Sequence, residues 1–209
     1  MTKEIERRPW QRVIDGVARA VRLGRMPEGI EEHRGQIVFP GAFNPMHAGH
    51  QRMAELAADW FDRPVEFELS IHNVDKPTLE SDEIARRMAQ FQSQHIVWIT
   101  RTPTFKEKAR QFPGATFVIG FDTLQRMIDP TYYNRGPQGR DAALTKIYQQ
   151  DCRFVVFGRE SGGQFGTAAE LDLPSELGER CRTVTSDEFR LDISSTQLRR
   201  ASEGLADVP

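Results

Sequence analysis

Six apolar runs of strand length, alternating with segments of helical periodicity, constrain the fold of this chain more than any other feature. They cover residues 37–39, 65–71, 95–100, 115–119, 153–157 and, more weakly, 182–185. Several are unbroken instead of alternating with polar residues, the pattern of strands covered on both faces. Between them, Met53, Leu56, Ala57 and Trp60 mark one apolar helical face, and Ile84, Met88 and Phe91 mark another. Ser81 stands where a cap would, with Asp82 and Glu83 in the turn behind it. Further helices are predicted over 106–112, 123–128, 140–150 and 195–202. This alternation predicts an α/β fold: a Rossmann-like, doubly wound, mainly parallel sheet of five or six strands.

Residues 36–209 are expected to form that domain. Before it, the helical spacing of Trp10, Ile14, Val17, Ala18 and Val21 makes residues 1–35 a helical extension. Its apolar face would pack on the domain or join two copies of the chain in a homo-oligomer. Segments 160–166 and 171–178, polar and glycine- or serine-bearing, predict a long loop before the last helix.

Sheets of this kind bind ligands at the carboxyl ends of their strands, where strand order reverses. The turn after the first run reads Gly41-Ala42-Phe43-Asn44-Pro45-Met46-His47-Ala48-Gly49-His50 and opens a helix. The first N–H groups of a helix lack internal partners and carry partial positive charge, so the turn predicts a phosphate site. Gly41 permits backbone angles or a close approach that a β-carbon would obstruct. Pro45 stiffens the turn, and Gly49 keeps the helix start uncluttered. His47 and His50 add donors without a permanent charge. Two plainer readings compete: the histidines cap the helix, or they share a metal, although no Cys or carboxylate at ligand spacing accompanies them.

A second cluster, Asp192-Ile193-Ser194-Ser195-Thr196-Gln197-Leu198-Arg199-Arg200, begins the last helix. Its hydroxyls either cap that helix or donate to a phosphate. Arg199 follows Ser195 by one turn on the same face, and its planar fork suits phosphate oxygens.

Composition closes off other classes. With 28 Lys+Arg against 30 Asp+Glu the formal charge is −2, which argues against a general nucleic-acid binder. Cys152 and Cys181 are too few and too far apart for a disulfide scaffold, so unpaired thiols in a reducing compartment are expected. The first residues are charged, and no apolar run approaches bilayer-spanning length. A soluble, cytoplasmic protein without membrane or nucleic-acid partners is the expectation.

Together the two clusters resemble the nucleotidylyltransferase family, whose loop reads G-x-F-x-P-x-H-x-G-H and whose second signature is I-S-S-T-x-x-R. Gly41, Phe43, Pro45, His47, Gly49 and His50 complete the first, and Ile193, Ser194, Ser195, Thr196 and Arg199 the second. The resemblance implies that His47 and His50 hold nucleotide phosphates, and that Ser195, Thr196 and Arg199 close over them. Gly41, Ala42, Phe43, Gly49, Ile193 and Ser194 join the nucleotide site on the same ground. Pro45 and the full I-S-S-T pattern are more similar to adenylyltransferases than to cytidylyltransferases. Three further stretches resemble nicotinamide or nicotinate mononucleotide adenylyltransferases. The first, Ser70-Ile71-His72-Asn73-Val74-Asp75-Lys76, implies a phosphate-side role for Lys76 and an acceptor-side one for Asn73. The second is Arg86-Arg87-Met88-Ala89 with the following strand, where Trp98 is an acceptor candidate. The third, Ile119-Gly120-Phe121-Asp122-Thr123-Leu124, implies that Gly120 and Asp122 face the nucleotide.

Two departures fall on the acceptor side. No tryptophan follows the third stretch, where 128–133 reads Ile-Asp-Pro-Thr-Tyr-Tyr, leaving Tyr132 or Tyr133 to stack on a ring. Residues 102–105 also lack the acidic–aromatic pair. Arg159, after the fifth run, is a further crevice candidate. The implied reaction transfers AMP from ATP, with its Mg²⁺, to a phosphomonoester such as nicotinamide or nicotinate mononucleotide, releasing pyrophosphate. The acceptor phosphate is itself the nucleophile, so catalysis rests on positioning and charge neutralisation by His47, His50, Lys76 and Arg199. A cytidylyl transfer, another phosphorylated acceptor, or a non-catalytic nucleotide-binding module are the competing readings.

Overall fold

The structure, a computed structural model, describes residues 8–25, 35–72, 77–161, 164–191, 193 and 195–204. Six parallel strands form the sheet: β2 (Ile37–Pro40), β3 (Val65–Ser70), β4 (Ile96–Thr100), β5 (Thr116–Gly120), β6 (Arg153–Phe157) and β9 (Cys181–Val184). All six coincide with the apolar runs. Their spatial order, β4-β3-β2-β5-β6-β9, places the reversal between β2 and β5. That is the doubly wound order, and its crevice opens at the carboxyl ends of those two strands.

A seventh strand was not expected. The single N-terminal helix is replaced by one turn, α1 (Gln11–Ile14), then a strand, β1 (Ala20–Leu23), antiparallel to β4. Gly16 explains the break, since its φ of +75° ends the helix. Val21 then pairs with Ile99, and the short strand covers the edge that β4 would otherwise leave open. Trp10, Ile14, Ala18 and Val21 do pack on the core, but from a turn and a strand, while Val17 points to solvent. Arg101 fixes the turn by donating to the Val13 and Ile14 carbonyls at 2.9 and 3.0 Å.

The two faces of the sheet bury separate cores. Ile37, Phe39, Phe67, Leu69, Val155 and Phe157 face α2 (Ala48–Phe61) and α3 (Ser81–Met88), whereas Val38, Phe117, Ile119, Phe154 and Val156 face the opposite layer. That layer contains α4 (Phe105–Gln111), α5 (Phe121–Ile128) and α6 (Gly136–Tyr148). In β3 the alternation puts two carboxylates, Glu66 and Glu68, inside the second layer, each at most 1% exposed. Glu66 is satisfied by Gln36 Nε2 at 3.0 Å and Trp98 Nε1 at 2.6 Å.

The expected loop over 160–166 contains instead a hairpin, β7 (Arg159–Ser161) with β8 (Gln164–Gly166). Phe165 packs on Gly158, and Gly166 lies on Phe121, where a β-carbon would come within 2.6 Å of the ring. A short helix, α7 (Ser175–Gly178), interrupts the next segment, and α8 (Ser195–Gly204) ends the described chain. Cys152 and Cys181 are free thiols, whose ionisation burial pushes up to about 11 and about 12. Among the described residues no helix is long and apolar enough to cross a membrane.

Candidate active site

Two helices start at the reversal point. β2 runs through Gly41–His47 into α2, and β5 passes through Gly120 directly into α5. His47 is the extended residue preceding α2 (φ −144°, ψ 170°), and its N–H donates to His50 Nδ1 at 3.3 Å. That bond makes Nδ1 of His50 an acceptor, so the neutral ring carries its proton on Nε2. The two imidazoles stack with centroids 3.8 Å apart. Burial, and secondarily the Arg159 charge, hold His47 below the ordinary imidazole range. Burial and then His47 hold His50 at about 3. Near neutral pH both rings are uncharged.

The glycines of the turn admit close neighbours. Gly41 has no left-handed backbone; a β-carbon on it would lie 2.6 Å from Phe43 Cζ. Phe43 is itself left-handed (φ +44°), 1% exposed, and packed edge-on against Phe39, Phe67 and Phe91. Its ring is a core group, which confines any ligand contact to its backbone. Gly49 lets the His47 ring and Ile193 approach, each about 3 Å from where its β-carbon would be. Beside Gly120, by contrast, a β-carbon would meet nothing. Its hydrogen faces open space between β5 and α5.

The turn is held from two sides. Arg87 donates to the Ala42 carbonyl at 2.9 Å, Gln90 donates to that of Phe43 at 2.9 Å, and Arg86 bonds Asn44. From the far end of the sequence, Ser195 Oγ donates to the Pro45 carbonyl at 2.8 Å. Arg199 donates to the Asn44 carbonyl, and to Thr196 Oγ1 at 3.1 Å. The two clusters are thus in direct contact, with Ile193 against the start of α2.

A family model described as cytidylyltransferase-like matches residues 38–201. The chain belongs to the cytidylyltransferase-like family. No curated protein matches it. Nucleotidyl transfer is accordingly the general activity of this cytidylyltransferase-like enzyme.

Within it, the remaining sequence candidates are dispersed. Lys76, Asn73 and Ser194 lie outside the described residues. Asp122, in the first turn of α5, is paired with Arg159. Arg159, the crevice candidate, thus pairs with Asp122 and lies near enough to His47 for its charge to act on that ring. Trp98 is committed elsewhere, its indole bonded to Glu66 and its ring edge-on to Phe112. Tyr133 donates to the Met127 carbonyl at 2.7 Å, and burial raises its hydroxyl. Tyr132 is exposed on the turn after α5. None of the three borders the cavity next to the cleft. That cavity, about 200 Å³, is lined by Gly41, Asn44, Thr123 and Arg199 at one end. Ser70, His72, Phe105 and Lys108 complete it. Glu68 and Arg87 line it too, and with Lys108 they are buried charges; nothing in the helical neighbourhood of charged residues around Lys108 marked it in the sequence. Among the described residues, no group of three or more His, Cys, Asp or Glu side chains has the arrangement of a metal site.

Proposed function

We propose that this enzyme transfers AMP from ATP to a phosphomonoester, with nicotinamide or nicotinate mononucleotide as the first acceptors to test, and releases pyrophosphate. The observation that carries the reading is the docking of Ser195 and Arg199 on the Pro45 and Asn44 carbonyls. It brings a cationic fork, two neutral imidazoles and the start of a 14-residue helix to one cleft. The adenylyl preference rests on Pro45 and the complete I-S-S-T run.

In this reading the triphosphate lies along the start of α2, and its adenosine passes Gly120 toward α5. The acceptor phosphate, already an oxyanion, attacks the α-phosphorus while the bond to pyrophosphate breaks in line. No protein group need remove a proton. His50 Nε2–H, the His47 ring and Arg199 offset the negative charge that grows on the leaving pyrophosphate. Mg²⁺ travels with the phosphates, where it neutralises charge.

The test measures pyrophosphate release with ATP and with CTP against a panel of phosphomonoesters. ATP-dependent release that falls about 10²–10³-fold in His47→Ala is expected, by analogy with other preorganised donors. Release with CTP alone would replace the adenylyl assignment. A His47→Ala enzyme within a few-fold of the parent would remove that histidine from the mechanism. Nucleotide binding without release for any acceptor would reduce the domain to a binding module.

A further inference from the structure

The cavity beside the cleft ends on an ion pair that no motif predicted. Lys108 Nζ, in α4, lies 2.6 Å from Glu68 Oε2 in β3 and donates to the Thr102 carbonyl at 2.8 Å. Glu68 is 0% exposed, and its other oxygen accepts from Thr100 Oγ1 and, at 3.2 Å, from Thr102 Oγ1. The carboxylate is thereby held from both oxygens. The ammonium keeps a donor to spare: it has three N–H donors, two acceptors meet it among the described residues, and Lys108 borders the cavity. Ser70 borders the same space, with a buried hydroxyl that meets no partner among the described residues.

Burying one charge pair costs desolvation, which a single well-placed partner offsets only when the geometry is good. Here the geometry is good, and the pair is neutral overall. A ligand reaching Lys108 therefore finds one strong donor without net positive charge. A carbonyl oxygen accepts that donor and adds no charge. A carboxylate would share one ammonium with Glu68, placing two anions side by side where little water screens them.

Resting on the adenylyl-transfer reading, we propose that Lys108, cancelled by Glu68, selects acceptors whose head group is an uncharged carbonyl or carboxamide over the matching carboxylate. Pro103, Phe105 and Leu79 supply an apolar lining for the ring or chain that carries it, while Asn44 and Arg199 mark the phosphate end of the same cavity.

The experiment compares kcat/KM for nicotinamide and nicotinate mononucleotides, with ATP and Mg²⁺, in the parent, Glu68→Gln and Lys108→Gln. The parent should favour the amide by about tenfold or more, the range of one charged hydrogen bond. Glu68→Gln uncovers the lysine charge and should move the ratio toward the acid by about tenfold. Lys108→Gln leaves the buried carboxylate and should move it the other way. Ratios within one enzyme are insensitive to the fraction folded, and if Glu68→Gln does not fold, the parent and Lys108→Gln decide. An acid preference in the parent, or ratios that none of the substitutions moves, overturns the proposal and leaves adenylyl transfer standing. Turnover of other phosphomonoesters but neither mononucleotide likewise overturns it alone. No pyrophosphate release with any acceptor overturns both.

Discussion

His50 offers the sharpest quantitative test of the site. In the folded chain the ring is packed against Phe39 and Phe43, at centroid distances of 5.8 and 5.3 Å, and stacked on His47. Burial, reinforced by His47, holds its pKa at about 3, against 6.5 for an exposed imidazole. Between those values the unfolded chain binds a proton on this ring and the folded chain does not. Stability supplied by the neutral ring is thus fully present above pH 6.5 and is lost as pH falls toward 3. Near pH 4.5 the loss amounts to about 2.7 kcal/mol, since each pH unit below the unfolded value costs about 1.4 kcal/mol. The perturbation is His50→Gln, which keeps an acceptor for the His47 N–H but cannot titrate. Urea unfolding of both proteins at pH 7.5 and 4.5 gives four free energies. The double difference cancels the packing lost with the ring. It should show the parent about 2.7 kcal/mol more acid-sensitive than the variant. Equal acid sensitivity would refute the claim that the folded site excludes this proton.

Other substitutions separate packing from ligand binding. Gly41→Ala, whose β-carbon collides with the enclosed Phe43 ring, should cost about 1–3 kcal/mol in thermal or denaturant unfolding. Gly120→Ala, facing open space, should leave the melting temperature within a few degrees and raise KM for the nucleotide. An unchanged KM would take Gly120 out of the nucleotide path. Arg199→Lys keeps the charge but not the fork, so nucleotide affinity should fall on the order of tenfold, read by calorimetry with a non-hydrolysable ATP analogue.

The parallel sheet was legible because its strands are covered on both faces, which leaves apolar runs that few other elements produce. The edge strand was not. Residues 10, 14, 17, 18 and 21 fit a helical stripe, and only the backbone angle at Gly16 decides that the chain turns and extends instead. The hairpin at 159–166 was hidden by glycines and a glutamate that read as loop. At the site, the residues carrying the two signatures were visible, but their mutual contact was implied by resemblance alone. Glu68 and Lys108 were illegible for a different reason. An acid alternating with apolar residues in a strand, and a lysine in a helix with other charges, both carry the pattern of a solvated face. Only the sheet's second layer turns those positions inward. Arg87 stood in a stretch the resemblance marked, but its bond to the Ala42 carbonyl was not legible there.

The bond from Arg199 to Asn44 spans 155 residues of chain. During synthesis at roughly 5–20 residues per second, the phosphate turn leaves the ribosome on the order of ten seconds before its clamp does. Strands β2 to β6 are complete in that interval, and so is the start of α2. A nascent chain can therefore acquire most of its sheet while the helix that clamps the Asn44–Pro45 turn is still missing. On the proposed reading, competence to hold a triphosphate would arrive late, as a property of the nearly finished polypeptide.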